Sequence, residues 1–249
     1  MENASWGHLV RENPPLFHLS EVDSTQNWLK EKARTALDPG TAVFSDLQIS
    51  GRGRPGNKWL HLPGNLAMSV WMPETPEGMT FPWTLLAAYS VLTVLEDRIG
   101  KSFGIKYPND IYRTDSGMKV GGILVESHGG RGDLIGIGLN RKDPHVPDGG
   151  GITIPDRPLP PDPMTLPLLI QDRMMVCLSG ELSHGEIWRF LDDRLLWRGD
   201  WVTWSEPGKN KMGKVLGLGE RGHLRLLGTE GEGEVTLPVT VRSIRRITA

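Results

Sequence analysis

The stretch FPWTLLAAYSVLTVLEDRIG, Phe81 to Gly100, constrains the fold more than any other segment. Leu85, Ala88, Leu92, Leu95 and Ile99 recur at helical spacing and make one apolar face, and Gly100 stops the helix. Such a face has to be buried against another element, and the neighbouring chain reads mostly as strands. Before it come LFHLSEV (Leu16–Val22), apolar at alternate positions, then TAVFSDLQI and NLAMSVWM. After it, SFGIKY meets PNDIYR, and a hairpin follows: Tyr112, a polar DSG turn, then VGGILVES. LIGIGLN is one more short strand.

Three further helices are predicted. DSTQNWLKEKARTAL has Asp23 or Ser24 as N-cap, places Leu29, Ala33 and Leu37 at helical spacing, and ends at DPG. The other two lie around MTLPLLIQDRMMVCL and GEIWRFLDDRLLW. Arg141 to Pro167 is rich in proline and glycine, lacks periodicity and reads as an ordered surface loop. Beyond Gly199 the texture changes to short strands: DWVTWSE, KVLGLGE, HLRLLGT, GEVTLPV and SIRRIT, separated by glycine-containing turns. That pattern predicts a small barrel or sandwich. The expected division is therefore a domain over 1–198 and a second, all-β one over 199–249.

With 249 residues and a formal charge of -2, the chain is long enough for a core that needs no staples. The near-neutral balance weakens any reading as a general nucleic-acid binder, which carries a broad basic face. The single cysteine, Cys177, cannot form an intrachain bridge and suits a reducing cytosol. No cysteine and histidine cluster has zinc spacing, no apolar run is long enough for a bilayer, and MENASWGHLVRENPP has no signal-peptide core. A cytoplasmic location, without membrane partners, is the expectation.

Against that background SGRGRPGNKW, Ser50 to Trp59, concentrates positive charge on pliable backbone. Glycines let a chain approach a ligand closely, guanidinium groups fork onto phosphate or carboxylate, and Trp59 offers a flat face to a base. An exposed loop explains the same residues, and the GK[ST] of a P-loop is missing. KYPNDI presents Asn109 and Asp110 at a strand end, as turn residues or, for Asp110, as a magnesium ligand. In MKVGGILVES, Lys119 is either a solvated edge residue or an inward charge for an oxyanion. The glycines of GIGLN mean a bulge or a ligand against the backbone.

Together and in this order, DST, Q-x-x-GRGR-x-G-x-x-W, K-[aromatic]-PND, K-x-x-GIL-x-E and GIGLN resemble the catalytic domain of biotin protein ligases, from about Val22 to Asn140. The all-β tail is similar to that family's C-terminal SH3-like domain. The resemblance implies an α+β fold: a mixed β-sheet flanked by helices, of the class II aminoacyl-tRNA synthetase and biotin ligase kind, followed by a small SH3-like β-barrel. It implies a monofunctional biotin–[acetyl-CoA-carboxylase] ligase, which joins biotin to ATP and passes the biotinyl group to a lysine of a carboxyl carrier protein. By resemblance Lys119 and Arg54 are catalytic. Ser24, Thr25, Gln26, Gln48, Gly51, Arg52, Gly53, Arg54, Lys119, Gly122, Gly136 and Gly138 bind biotin, with Gly121 beside them. Arg54, Trp59, Lys106, Asn109, Lys119 and Asn140 bind ATP, and Asp110 holds Mg2+.

This chain departs from the family at Pro55 and Asn57, where many relatives are basic, and at Tyr107, commonly tryptophan. Only about fifteen residues precede the first element, too few for the helix-turn-helix that some members carry, so no DNA binding is expected. Members also pair as homodimers through a sheet edge, an option this sequence neither requires nor forbids. A lipoate or octanoate ligase of related fold is the nearest enzymatic rival, and a non-catalytic biotin-binding module the rival of another class.

Overall fold

A computed structural model describes residues 13–35, 37–73, 81–100, 103–141, 162–206, 209–229, 233–241 and 244–247. Most of the loop expected between Arg141 and Pro167 lies outside them, while Pro167 itself stands in a helix. The first sheet has seven strands in the order β1-β2-β3-β7-β6-β5-β4. These are β1 (Leu16–Val22), β2 (Ala42–Gln48), β3 (Leu66–Met72), β4 (Phe103–Lys106), β5 (Asp110–Arg113), β6 (Lys119–Ser127) and β7 (Asp133–Leu139). Only β1 and β2 run parallel; every other neighbour pairs antiparallel, so the sheet is mixed as expected.

The two faces of this sheet are used differently, and strand parity decides which residue goes where. Phe44, Met68, Val70, Ile123, Ile135 and Ile137 point toward α2 (Trp83–Ile99) and join one continuous core with it and with α3 (Thr165–Ser179). α2 is buried almost all round, which exceeds the single stripe read from its spacing. It lies between the sheet and a second helix layer. On the other face Leu29 of α1 (Thr25–Lys32) and the capping Ala33 pack on Val43, Trp71 and Leu134. The rest of that face, where Ser69, Gly122, Gly136 and Gly138 stand, has no apolar helix packed over it and forms the base of a cleft.

Helix ends explain several boundaries. α1 stops at Lys32, short of the expected DPG, because Arg34 and Thr35 donate only to carbonyls three residues back and tighten the chain out of α geometry. Pro167 fits the first turn of α3, where its missing N–H has no intrahelical partner to lose. α4 (His184–Asp193) opens on a full capping box between Ser183 and Glu186. It ends sooner than the expected Trp197 because Arg194 to Leu196 turn to pair with Ile105 of β4. That added chain covers an edge strand that would otherwise be exposed. Gly104 allows the approach, since a Cβ there would stand 2.8 Å from the Arg194 carbonyl oxygen.

The tail forms a five-stranded antiparallel sheet, β11-β10-β9-β8-β12. Its members are β8 (Trp201–Glu206), β9 (Lys209–Leu218), β10 (Leu224–Gly228), β11 (Glu234–Leu237) and β12 (Ile244–Arg246). The expected barrel is corrected to an open sheet among the described residues: β11 and β12 are its two edges and do not pair. Closure is unnecessary, because Trp204, Val215, Leu224 and Ile244 bury themselves in the same core as α2. No helix among the described residues is long and apolar enough to cross a membrane.

Candidate active site

The uncovered half of the sheet forms the floor of a cavity of about 630 Å³. Its end nearest α1 is polar and neutral. Ser24 occupies the N-cap position of α1 without making a side-chain cap bond, and both the amide and the hydroxyl of Thr25 donate to Gln48 Oε1, at 2.9 and 3.1 Å. Thr25 has one hydroxyl hydrogen, so in the 2.8 Å contact with Ser69 the Ser69 hydroxyl is the donor. Gln26 donates to the carbonyls of Leu124 and Leu134, fixing the backbone beside Gly136. Buried hydroxyls and amides fixed in this way are pre-oriented for an uncharged polar ligand.

The opposite end is cationic. Lys119 Nζ lies 2.7 Å from Asp110 Oδ1, and Lys106 Nζ lies 3.7 Å from Asp110 Oδ2. Lys106 is further held over the rings of Trp197 and Tyr112, at 5.2 and 5.7 Å. Arg54 donates to Asn109 Oδ1 at 3.3 Å, to Thr240 O at 3.4 Å and to the carbonyl of Val241. Burial lowers the Arg54 pKa, against the pull of Asp110 and Tyr107. Asn140 closes the cavity beyond, accepting from Asn65 Nδ2 at 3.3 Å.

The glycine loop roofs this space as a narrow hairpin. Arg52 bridges Lys58, Gly53 N donates to Asn57 O, and Trp59 N donates to Gly51 O. The indole of Trp59 lies on Gly138 and Gly122, whose missing side chains make room for it. Of the residues read as binding groups, Gly51 and Gly121 are absent from the cavity surface. Gly51 sits beneath the hairpin, where a Cβ would meet Trp59 O at 2.4 Å, and Gly121 is turned toward Leu139 and Ile111. The other expected residues line the cavity, Asp110 included.

Asn57 and Lys58 of the charged loop also line the cavity, and three lining residues were not foreseen: Ser69, Ile244 and Arg245. Ser69 carried a signal, a polar residue inside an apolar strand. The two from β12 had none, because only packing brings the tail against the cavity. Tyr107 is the hinge of that packing. Its buried hydroxyl donates one hydrogen shared between Leu237 O at 2.9 Å and Gly222 O at 3.2 Å, both in the tail. Burial raises its pKa beyond the ordinary tyrosine range. Tyr107→Phe keeps the ring and orphans two carbonyls, so it should cost about 1–3 kcal/mol. Chemical denaturation of the two proteins measures this, and an unchanged midpoint would contradict it.

His61, beside the loop, is buried with neither ring nitrogen bonded among the described residues. Burial depresses its pKa below 6.5, against a weaker pull from Asp46. A neutral histidine in the fold and a protonated one in the unfolded chain make stability full above about pH 6.5 and lost as pH falls through the folded pKa. The melting temperature should therefore drop more between about pH 7.5 and about pH 5.5 in the parent than in His61→Leu. Parallel curves would refute the assignment.

Residues 19–140 match the model of the biotin/lipoate A/B protein ligase family. The bifunctional ligase/repressor BirA of Bacillus subtilis is 37% identical over 134 residues, which span 50% of this chain and 40% of that protein. The biotin–[acetyl-CoA-carboxylase] ligase of Paracoccus denitrificans is 33% identical over 144 residues, 54% of this chain and 57% of that one. The chain thus spans roughly two-fifths to three-fifths of the length of these curated relatives. Among solved structures, the biotin protein ligase of Aquifex aeolicus in complex with biotin and ATP superposes with a TM-score of 0.78 at 30% identity, over 94% of this chain and 99% of that one.

Proposed function

The chain belongs to the biotin/lipoate A/B protein ligase family, and from that premise we propose that it is a biotin protein ligase. It joins biotin to ATP, giving biotinyl-5′-adenylate and pyrophosphate, and then passes the biotinyl group to a lysine of a carboxyl carrier protein, in the cytoplasm. The observation that carries this reading is one cavity with a neutral hydrogen-bonding end and a cationic end. Biotin has the same two halves: an uncharged ureido ring and, at the end of its chain, a carboxylate.

In this reading Thr25, Gln48 and Ser69 address the ring with Ser24 and Gln26, over a floor of Gly136 and of the Trp59 indole that lies on Gly138. Arg54 and Lys119 stand where the carboxylate meets the α-phosphate, with Lys106, Asn109, Asn140 and Trp59 around the nucleotide. A carboxylate oxygen attacks the α-phosphorus and pyrophosphate leaves. The difficulty is bringing two anions together, and fixed cations answer it. In the second step the neutral amine of the carrier lysine attacks the carbonyl carbon of the mixed anhydride, AMP leaves, and the amine gives up a proton. The loop roof keeps water from taking the amine's place. The tail, taken from 199 onward, supplies part of the wall through Ile244 and Arg245.

The residues present do not fit a protein-held Mg2+. Asp110 is already matched by two lysines, and no group of three or more histidine, cysteine, aspartate or glutamate side chains gathers among the described residues. Cys177 is no alternative nucleophile: it is buried on α3 and its thiol is pushed up to about 11 by burial. Incubation with ATP, Mg2+, biotin and a carrier domain should add one biotinyl group to the carrier lysine, read by mass spectrometry. Equal or greater labelling with lipoate would move the chain to the lipoate branch, and biotin binding without AMP release would make it a binding module.

A further inference from the structure

Glu126, the last residue of the K-x-x-GIL-x-E stretch, has no part in the chemistry above. It lies on the cavity face of β6, in phase with Gly122 and Leu124. Its Oε2 accepts from Arg52 Nη2 at 2.8 Å, each side chain about one-third exposed. The same loop touches β6 a second time, four residues earlier, where Trp59 lies on Gly122. Four residues of strand span roughly 13 Å. The hairpin is therefore fixed to the floor on both sides of the paired Leu124 and Gly136, and Gly136 is part of the floor proposed above for the ring of biotin.

We infer that the Arg52–Glu126 pair is a strap holding the hairpin across the sheet, and that Glu126 is a positioning residue acting through Arg52. The hairpin's own bonds are few: Gly53 to Asn57, Asn57 to Arg54 and Trp59 to Gly51. Without the pair, the roof is held at its cationic end by Arg54, through Asn109 and the carbonyls of Thr240 and Val241, and over the neutral end by the indole alone. Arg52 is then matched by a carboxylate at the rim, leaving Arg54 and Lys119 as the cations that meet the reacting anions. This rests on the ligase reading for its kinetic consequence, but not for its structural one.

The test uses the full chain with Glu126→Gln, Arg52→Gln and the exchanged pair Arg52→Glu/Glu126→Arg. Hydrogen exchange at the amides of Asn57 and Trp59 reads the roof directly, with no substrate present. Glu126→Gln should speed it about two- to fivefold, the range for a partly exposed ion pair. The same variant should raise AMP released per biotinyl group transferred, because a looser roof admits water to the adenylate. The exchanged pair should restore both values. Unchanged amide exchange in Glu126→Gln, or an exchanged pair as loose as the single variants, overturns the strap. Restored protection with transfer still lost also overturns it, since Arg52 would then act on substrate directly. If the wild-type chain forms no adenylate at all, the ligase reading fails while the exchange result still stands or falls alone.

Discussion

Lys119→Ala is expected to form biotinyl-adenylate about 10²–10³-fold more slowly than the parent while keeping its fold. The size of the loss follows from what remains. Lys119 is 2.7 Å from Asp110 and Lys106 is 3.7 Å away, so removing the nearer ammonium leaves a carboxylate facing the incoming phosphates with one distant partner. The site loses a cation and uncovers an anion in the same change. Stability should change little, because the side chain is 31% exposed and fills no core space. Pyrophosphate release measured at saturating biotin and ATP decides the matter. A parental rate would remove Lys119 from the chemistry and with it the two-ended reading of the cavity. Lys119→Arg is the informative companion: it keeps the charge but spreads it over a planar fork, and should recover only part of the rate.

Gly138→Ala is expected to weaken ligand binding by about tenfold or more, a shift of about 1.4 kcal/mol. A Cβ at this position would stand 2.3 and 2.4 Å from two atoms of the Trp59 indole. Backbone on neither side gives way, because β7 is paired to β3 and β6 along its whole length. The indole therefore has to rise from the floor into the space meant for ligand. At Gly136 the nearest atoms to the added carbon would be those of the Gln26 carboxamide, at 3.0 Å and beyond, so Gly136→Ala should cost less. Titration of both variants with biotin, with and without ATP, gives the order. Equal affinities, or a stronger effect at Gly136, would show that the indole does not set the floor.

Much of this architecture can be read from the chain because its signals are local. β1 runs over the residues whose alternation announced it, Leu16–Val22, and the long helix ends at the expected Gly100. The cleft residues were legible as well, since GRGR, PND and GIGLN follow one another in the order that carries the family resemblance. What stayed hidden depends on contacts distant in sequence. Tyr107 looked like a mild replacement for tryptophan, yet its hydroxyl reaches carbonyls 115 and 130 positions further on. Asp110 read as a metal ligand because a carboxylate at a strand end suits one. Only folding brings Lys119 across from β6 and Lys106 from β4 to match it. The expected barrel failed for a related reason. Strand spacing foretells a small sheet, but whether its edges meet depends on the core it shares with α2.

The pairing of Asp110 with two lysines also shapes how the resting chain greets stray solutes. Bare ammonium groups in a crevice would collect inorganic phosphate, sulfate or any small acid that drifted in. Here their charge is already answered, so a newcomer must displace a partner before it gains anything. A fragment without other handholds has nothing to offset that exchange. A nucleotide that, as proposed, also grips Asn109, Asn140 and the aromatic roof does, and ordinary cellular anions should therefore be poor inhibitors.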